Sequence, residues 1–370
     1  MGIILFIIII LVLVVGHEAG HFLAAKLSGM RVPEFGIGFP PRLWGKKVGE
    51  TEYTVNALPF GGFVRIHGEE SGLPAQAGAA DPDSFSQKPA IAQALTLFAG
   101  PSMNFVLGFM LFALAFMVGV PAVEGQYPSL ALEHVSVTIT GILSGSPAEK
   151  AGLVVGDHVA AIETERGHSI DPLTPESLVS AIAAADGPVT LEIIRGDGTS
   201  VTDRIAVFPV PGVIADDPSR RAIGIATDAI GIVRLPFFQA IMEGFTETVA
   251  GAGAVVIGIG SLIGSALTFS GSLSSVAGPV GIASLTGSAA VLGLGAVLSF
   301  AGLISINLGV LNLFPFPALD GGRLALLAIE SVARRKVPAR FVSAINLLGF
   351  AFLATLMLVV TAHDLYRLFV

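Results

Sequence analysis

Gly16-His17-Glu18-Ala19-Gly20-His21 carries the pattern H-E-x-x-H near the start of the chain. On a helix, residues four apart share a face, so His17 and His21 can reach one Zn2+. Glu18 lies beside them and can take a proton from a zinc-bound water, whose pKa the ion lowers to about 7. The same pattern in a soluble helix is often chance. Here it ends an apolar run, Ile3–Val15, and a charged side chain in mid-bilayer costs about 2.5–3.5 kcal/mol on insertion scales. Three ionisable groups in one apolar helix demand a reason, either a metal site or a proton relay in a transporter. Lys26 and Arg31 follow closely, which sets His21 about 8 Å, five helical residues, from the cytoplasmic boundary.

A catalytic zinc takes three protein ligands. The chain has no cysteine, so the third must be His, Asp or Glu. The best placed is Asp320, at the end of Asn307-Leu308-Gly309-Val310-Leu311-Asn312-Leu313-Phe314-Pro315-Phe316-Pro317-Ala318-Leu319-Asp320. Pro315 and Pro317 break that helix and free backbone groups that only a protein- or water-lined cavity can satisfy. Asp320 follows the break and precedes Arg323, which puts it at the depth of His21. The competing role for Asp320 is to cap a helix over Gly321–Val332.

Of the 370 residues, 53% are hydrophobic and only 13% charged, about half the charged share of a soluble domain. With a mean hydropathy of +0.80, this is the composition of a membrane protein. A formal charge of −8 argues against a nucleic-acid partner. The apolar start has no basic region before it and no small-residue cleavage site after it, and is read as a retained span. The spans are expected at about Gly2–Leu27, Phe98–Val120, Leu292–Leu313 and Ala344–Val360; at 1.5 Å per residue, about 20 helical residues cross the hydrocarbon core. Pro236–Thr268 is apolar enough to cross or to lie along the surface.

Glu52–Val55 and Phe63–Ile66 read as two strands around Leu58-Pro59-Phe60-Gly61-Gly62, a hairpin, followed by a loop over Gly68–Asp83. From Val123 to Val210 the pattern changes. Val135, Val137 and Ile139 alternate with polar residues as in a half-buried strand. Ser146-Pro147-Ala148-Glu149 reads as an N-cap, a proline at N1 and a capping-box Glu. Pro175–Ala185 reads as a helix, and Val189–Arg195 with Val201–Val207 as a hairpin around Gly196-Asp197-Gly198. This small α/β module resembles a PDZ domain through Ser-Pro-Ala-x-x-Ala-Gly-Leu-x-x-Gly-Asp, Ser146–Asp157. Its His158 and His168 are expected to face solvent, and His363 and Asp364 to sit at the interface that ends the last span.

Arg31, Arg42, Lys46, Lys47, Arg65 and Lys88 fill the first loop, and Arg323, Arg334, Arg335, Lys336 and Arg340 precede the last span. By the positive-inside rule both are cytoplasmic, and the acidic module and the N-terminus lie outside. Four spans satisfy that parity; Pro236–Thr268 then lies at the interface or pairs with a second crossing near Val280–Leu292. The expected architecture is a polytopic α-helical membrane protein of about four transmembrane helices, with a cytoplasmic-side β-hairpin and one inserted α/β PDZ-like domain. Residues 1–122 form the first membrane half, 123–212 the module, 213–291 an apolar connecting region at the outer membrane surface, and 292–370 the second membrane half.

His17-Glu18-x-x-His21, Gly100-Pro101-x-x-Asn104, Gly278-Pro279-Val280-Gly281 and Asn312-x-x-Pro315-x-Pro317-x-x-Asp320-Gly321 together resemble the site-2 protease family over essentially the whole chain. The inserted module makes it similar to the bacterial RseP branch, the regulator of sigma-E protease. The resemblance implies an intramembrane zinc metalloendopeptidase of the inner membrane, with the module on the periplasmic side. It implies His17, His21 and Asp320 as ligands and Glu18 as catalytic acid/base. Its substrates would be transmembrane helices of single-span proteins, such as anti-sigma factors or signal-peptide remnants. It implies Asn312 as a contact to substrate backbone, and the element with Gly61, Gly62, Phe63 and Val64 as a membrane-reentrant β-structure that pairs with unwound substrate. The best-known members carry two tandem PDZ modules, whereas this chain shows one, which could contact peptide or act as a steric gate. A transporter with the same His/Glu/Asp site predicts internal repeats, and the sequence shows none.

Overall fold

The computed structural model describes residues 2–69, 81–165, 173–195, 201–214, 217–268 and 277–369. The expected Gly196–Gly198 turn, His168 and most of the Gly68–Asp83 loop lie outside the described residues. The chain forms two compact units, Met1–Leu114 with Phe238–Gly287 and Leu298–Val370, and Ala115–Phe237 with Ser288–Val297.

In chain order the elements begin with α1 (Gly2–Leu27), β1 (Glu34–Val48), β2 (Thr51–Arg65) and α2 (Ala90–Val118). The strands and short helices β3 (Val120–Val123), β4 (Glu133–Ile142), α3 (Pro147–Lys150), β5 (His158–Glu163), α4 (Pro175–Ala183), β6 (Val189–Ile194), β7 (Val201–Val207) and β8 (Ile225–Val233) follow. The chain closes with α5 (Phe237–Leu267), α6 (Pro279–Val291), α7 (Leu294–Leu313), α8 (Asp320–Ala333) and α9 (Ala339–Phe369).

Among the described residues five helices are long and apolar enough to cross a membrane: α1, α2, α5, α7 and α9. β-Branched runs such as Ile7–Ile10 are poor helix formers in water, but lipid offers no other partner for backbone N–H and C=O groups, so an apolar span coils. Ile3 and Ile4 of α1, each 67% exposed, and Leu347 and Leu348 of α9 point outward, as lipid-facing side chains do. Of these, α5 covers the stretch Pro236–Thr268 whose crossing the sequence leaves open, and its length and composition permit a crossing. Residues 237–267 form one 31-residue helix, about 46 Å at 1.5 Å per residue, although six glycines and a dilute apolar pattern leave its state open in the sequence. No partner crossing forms near Val280–Leu292, since α6 has only 13 residues.

The hairpin also differs from expectation. Its turn is at Gly49-Glu50, with Gly49 at φ +63°, and the segment around Leu58–Gly62 lies within a single strand, β2. β1 is the partner, hidden in the sequence by Pro40 and Pro41, which interrupt its alternation. Residues 34–37 stand opposite 52–55 on one side and 62–65 on the other, while 44–48 stand opposite 55–51. The stretch 62–65 is thereby left at the margin of the sheet. This sheet packs on α1, with Phe22 edge-on to Phe35 at 5.4 Å and a core of Ala25, Met30, Val32, Ile66, Phe85 and Leu97 beneath it.

The second unit holds a six-stranded sheet in the order β3-β8-β4-β5-β6-β7. Leu178 and Ile182 of α4 cover a core of Ile139, Val159, Ile162, Leu191 and Ile193. Ser146 caps α3 by accepting from the Glu149 N–H, and Glu149 Oε2 reaches back to the Gly145 N–H at 2.6 Å. Asp157, 1% exposed, accepts from the Val154 N–H at 3.0 Å and takes a two-pronged contact from Arg195; the Gly-Asp of the motif is a structural clamp. The unit is wider than the span 123–212, because β3 and β8 belong to its sheet. β8 is hard to read in the sequence because the Pro/Asp-rich stretch 209–218 separates its alternation from β7. His158 is half-buried rather than solvent-facing, with Nδ1 2.8 Å from Thr138 Oγ1 and 3.0 Å from Ser136 Oγ.

Candidate metal centre

His17, Gly20 and His21 lie on the buried face of α1. Glycine at 20 and at 100 lets α1 and α2 approach closely. A Cβ on Gly20 would strike the Ala99 carbonyl, and one on Gly100 would strike the His21 ring. His21 Nδ1 is 2.8 Å from the Thr96 carbonyl oxygen on α2. A carbonyl can only accept, so Nδ1 carries the hydrogen and Nε2 of the neutral ring presents a bare lone pair.

Asp320 enters from far along the chain. The break at Pro315 and Pro317 forms a loop in which Ala318 takes a left-handed φ of +73°, and the Ala318 N–H donates to Asn346 Oδ1 of α9 at 3.3 Å. A Cβ on Gly321 would collide with the Leu313 and Phe314 carbonyls; glycine there allows α8 to start directly under the end of α7. Asp320 is the first residue of α8, and the N-cap is Leu319, which makes no side-chain cap bond. The carboxylate turns to the histidines instead: Oδ2 is 3.1 Å from His17 Nε2 and 3.3 Å from His21 Nε2, and the two Nε2 atoms are 3.2 Å apart.

These three atoms fit a zinc ion. Each is a lone-pair donor, Asp320 Oδ2 is shut off from solvent, and their separations match the edge of a tetrahedron with bonds of about 2.0–2.1 Å, roughly 3.3 Å. His17, His21 and Asp320 are the one group of three or more His, Asp or Glu so placed among the described residues. Beside them a cavity of about 360 Å³ is lined by Glu18, Phe63, Val64, Asn104 and Asn312 among others. Glu18 Oε2 accepts the Val64 N–H at 3.0 Å, so the sheet margin and the metal site meet at this carboxylate.

The model of peptidase family M50 matches residues 5–356. The chain belongs to this family. It is similar to a Clostridium perfringens protein named provisionally as a zinc metalloprotease, 34% identical over 95% of both chains. It is also similar to the zinc metalloprotease RasP of Geobacillus kaustophilus, 31% identical over 100% of this chain and 98% of the relative. The RasP of Shouchella clausii is 30% identical over 98% of each. The family is that of the site-2 proteases, and these relatives place the chain in its RseP branch. It is a zinc-dependent metalloendopeptidase and a multi-pass membrane protein.

In this M50 protein the structure brings His17, Glu18, His21, Asp320, Asn312, Phe63 and Val64 around one cavity. Gly61 and Gly62 do not line it. They sit against α1, where a Cβ on Gly62 would come within 3.5 Å of Val15 and 3.8 Å of Glu18 Cγ. Several residues at the site carried no role in the sequence reading. Thr96 acts through a carbonyl, which no side-chain pattern reveals. Glu69 and Arg323 also line the cavity, and Arg323 donates to the Glu69 side chain at 2.6 Å and to its carbonyl at 3.1 Å. Asn104 closes the Gly100-Pro101-x-x-Asn104 motif, and its side-chain amide is 3.2 Å from His17 Nδ1.

Proposed function

We propose that this M50 protein cuts peptide bonds within transmembrane segments of single-span membrane proteins, such as anti-sigma factors or signal-peptide remnants. His17, His21 and Asp320 hold the zinc. The observation that carries the reading is the convergence of their three ligand atoms beside Glu18, within a cavity that is walled on one side by a strand margin. Bound zinc supplies Lewis acidity toward a peptide carbonyl and makes water acidic near neutral pH. Glu18 is the acid/base: it sits beside the ligand set without joining it, and the Val64 N–H fixes its second oxygen.

A helix keeps its peptide bonds in i to i−4 hydrogen bonds, so a substrate span must unwind before it is cut. Each freed backbone group in lipid costs several kcal/mol unless paired anew. The margin at Gly62–Val64 offers such partners by strand addition, and Asn312 adds a donor and an acceptor across the cavity. The second unit is a PDZ-like module on the periplasmic side of a bacterial inner membrane, where it limits access by bulk or contacts peptide. In support of peptide contact, β3 pairs with residues 230–233 of β8 and the Glu124 N–H reaches the Ala229 carbonyl, which among the described residues leaves 225–228 with a strand on one side alone.

The test is made on the purified protein in bilayer discs. Wild type is expected to hold one zinc per chain and to cut a single-span substrate within its membrane segment. Glu18→Gln is expected to keep the zinc and lose cleavage by at least 10²-fold, the usual scale of general acid–base catalysis. Zinc-free wild type, or full cleavage by Glu18→Gln, overturns the reading.

A further inference from the structure

Gly100-Pro101-x-x-Asn104 packs against the metal site, yet the proposed chemistry leaves Asn104 without a task. We propose that Asn104 is the positioning residue for His17: its Oδ1 accepts the His17 Nδ1–H and so keeps Nε2 turned to the metal. The inference rests on the zinc reading above and adds to it the residue that sets one ligand's tautomer.

Asn104 is 0% exposed. As the amide stands, Nδ2 faces His17 Nδ1 at 3.2 Å and Oδ1 is buried with no hydrogen-bond partner among the described residues. An amide donor facing Nδ1 makes that nitrogen the acceptor and puts the ring proton on Nε2. That proton would lie among His21 Nε2 and Asp320 Oδ2, 3.2 and 3.1 Å away, and would close His17 to a metal. Exchanging O and N of the amide costs no space and is not distinguished by the positions of the heavy atoms. It removes the conflict: Nδ1–H donates, Oδ1 accepts, and Nε2 is free to ligate. The acceptor with no partner becomes the acceptor that is needed.

The arrangement then matches that of the second imidazole. His21 Nδ1 already faces an acceptor on the same helix, the Thr96 carbonyl at 2.8 Å. The two histidines are four residues apart on α1 and their acceptors eight apart on α2, about 6 Å and 12 Å of rise. Helix geometry closes the difference. A carbonyl points toward its helix C-terminus, whereas a side chain leans toward the N-terminus. The Thr96 carbonyl and the Asn104 side chain therefore approach each other along α2, and Gly100 stands midway, where His21 needs the room. Position 104 is itself anchored, because buried Ser305 of α7 donates its hydroxyl to the Asn104 carbonyl at 2.8 Å. Such partners of metal-bound histidines typically govern metal affinity by 10- to 100-fold.

The experiment measures zinc affinity of full-length protein in micelles by chelator competition, with thermal unfolding of the metal-free form as a fold check. Asn104→Leu fills nearly the same volume without an acceptor and is expected to weaken zinc binding 10- to 100-fold. Asn104→Asp keeps the acceptor and is expected to bind zinc within threefold of wild type or more tightly. A packing role predicts the reverse order, with Leu tolerated and a buried carboxylate destabilising the metal-free fold. Wild-type affinity in Asn104→Leu, or equal loss in both variants, overturns the inference. Should Asn104→Leu not fold, 15N resonances of the wild-type histidines, assigned by difference from His17→Gln, decide. The His17 Nδ1 is expected to stay protonated while Nε2 shifts on adding zinc; a shift at Nδ1 instead overturns it. A wild type that takes up no zinc fails earlier and sinks the zinc reading, whereas zinc-loaded wild type with an unaffected Leu variant sinks this inference alone.

Discussion

Gly100→Ala isolates the close fit between α2 and the His21 ring. A methyl built on Gly100 would overlap His21 Nε2 and lie 2.5 Å from Cε1 and 2.7 Å from Cδ2. Relief to an ordinary contact of about 3.5 Å requires the ring to move about 1 Å. The ring cannot swing away freely, because Nδ1 is held by the Thr96 carbonyl and the ring is buried. Withdrawal of α2 is opposed by its close packing on α7, where a Cβ on Gly108 would strike Ile306 and one on Gly309 would meet the Phe105 ring. Metal–ligand distances tolerate about ±0.2 Å, so a 1 Å displacement removes one of three ligands on the proposed reading. Zinc affinity should fall by at least 10-fold and cleavage by about 10²-fold, the scale of a 1 Å misplacement at a reacting centre. The comparison variant is Gly258→Ala on α5, where a Cβ meets nothing within 4 Å; helix propensity there favours alanine by about 1 kcal/mol. Zinc per chain after chelator dialysis and cleavage of a single-span substrate are read on both variants. If Gly100→Ala keeps wild-type zinc and activity, the ring has room that the packing denies, and the reasoning fails.

Two other perturbations separate fold from chemistry. Asp364 is 7% exposed and its carboxylate accepts the Gly281 N–H at the start of α6 at 2.8 Å. A Cβ on Gly278 would lie 2.7 Å from that carboxylate, which explains the Gly278-Pro279-Val280-Gly281 stretch. Asp364→Ala leaves a buried donor unpaired and should lower stability by about 1–3 kcal/mol, read by thermal unfolding, while zinc per folded chain stays at the wild-type value; lost zinc with intact stability would refute the structural role. In the second unit, burial holds the His158 pKa below its ordinary value, with the Asp157 carboxylate partly opposing. The unfolded chain then binds the proton more readily than the folded one, so the unit should lose stability as pH falls below about 6.5. Amide exchange at β4 and β5, corrected for intrinsic rates, should show that loss in wild type and less of it in His158→Gln; equal slopes would exclude His158.

What could be read from the sequence follows the range of each interaction. His17 and His21 are one helical turn apart, so their shared face is fixed as soon as the segment is helical. Asp320 stands 299 residues beyond His21, but the prolines at 315 and 317 mark a break that needs a polar cavity, and the arginines set its depth. The elements that were missed lack a local signature. β1 is interrupted by Pro40-Pro41, and its residues 34–37 gain their two neighbours, 52–55 and 62–65, only through folding of the chain back on itself. β8 reads as connecting chain until β3 and β4 pair with it. The long α5 has glycine at 244, 251, 253, 258, 260 and 264, a composition as suited to a surface segment as to a span. The contacts that orient the imidazoles come from a backbone carbonyl and from an amide whose O and N are interchangeable. Composition fixes neither.

The Val64 N–H ties two halves of the proposed mechanism together. Residue 64 stands opposite Phe35, and its N–H goes to Glu18 rather than across the sheet. In an antiparallel pair both backbone groups of one residue point to the same side, and alternate residues point the same way. The C=O of Val64 therefore faces the margin with its N–H, beside the cavity that Phe63 and Val64 line, while Gly62 is packed against α1. A substrate backbone that adds here meets the same N–H that Glu18 now holds. With the margin empty, the strand orients Glu18 by one hydrogen bond; with a substrate strand in place, that donor can pass to the substrate, and the carboxylate is released beside the ligand set. The net cost of moving one hydrogen bond is about 0.5–1.5 kcal/mol, smaller than the several kcal/mol that unwinding in lipid requires. Pairing with substrate backbone would then free the acid/base carboxylate only when an unwound segment lies within reach of the zinc, so that unwinding and activation of the site become one event.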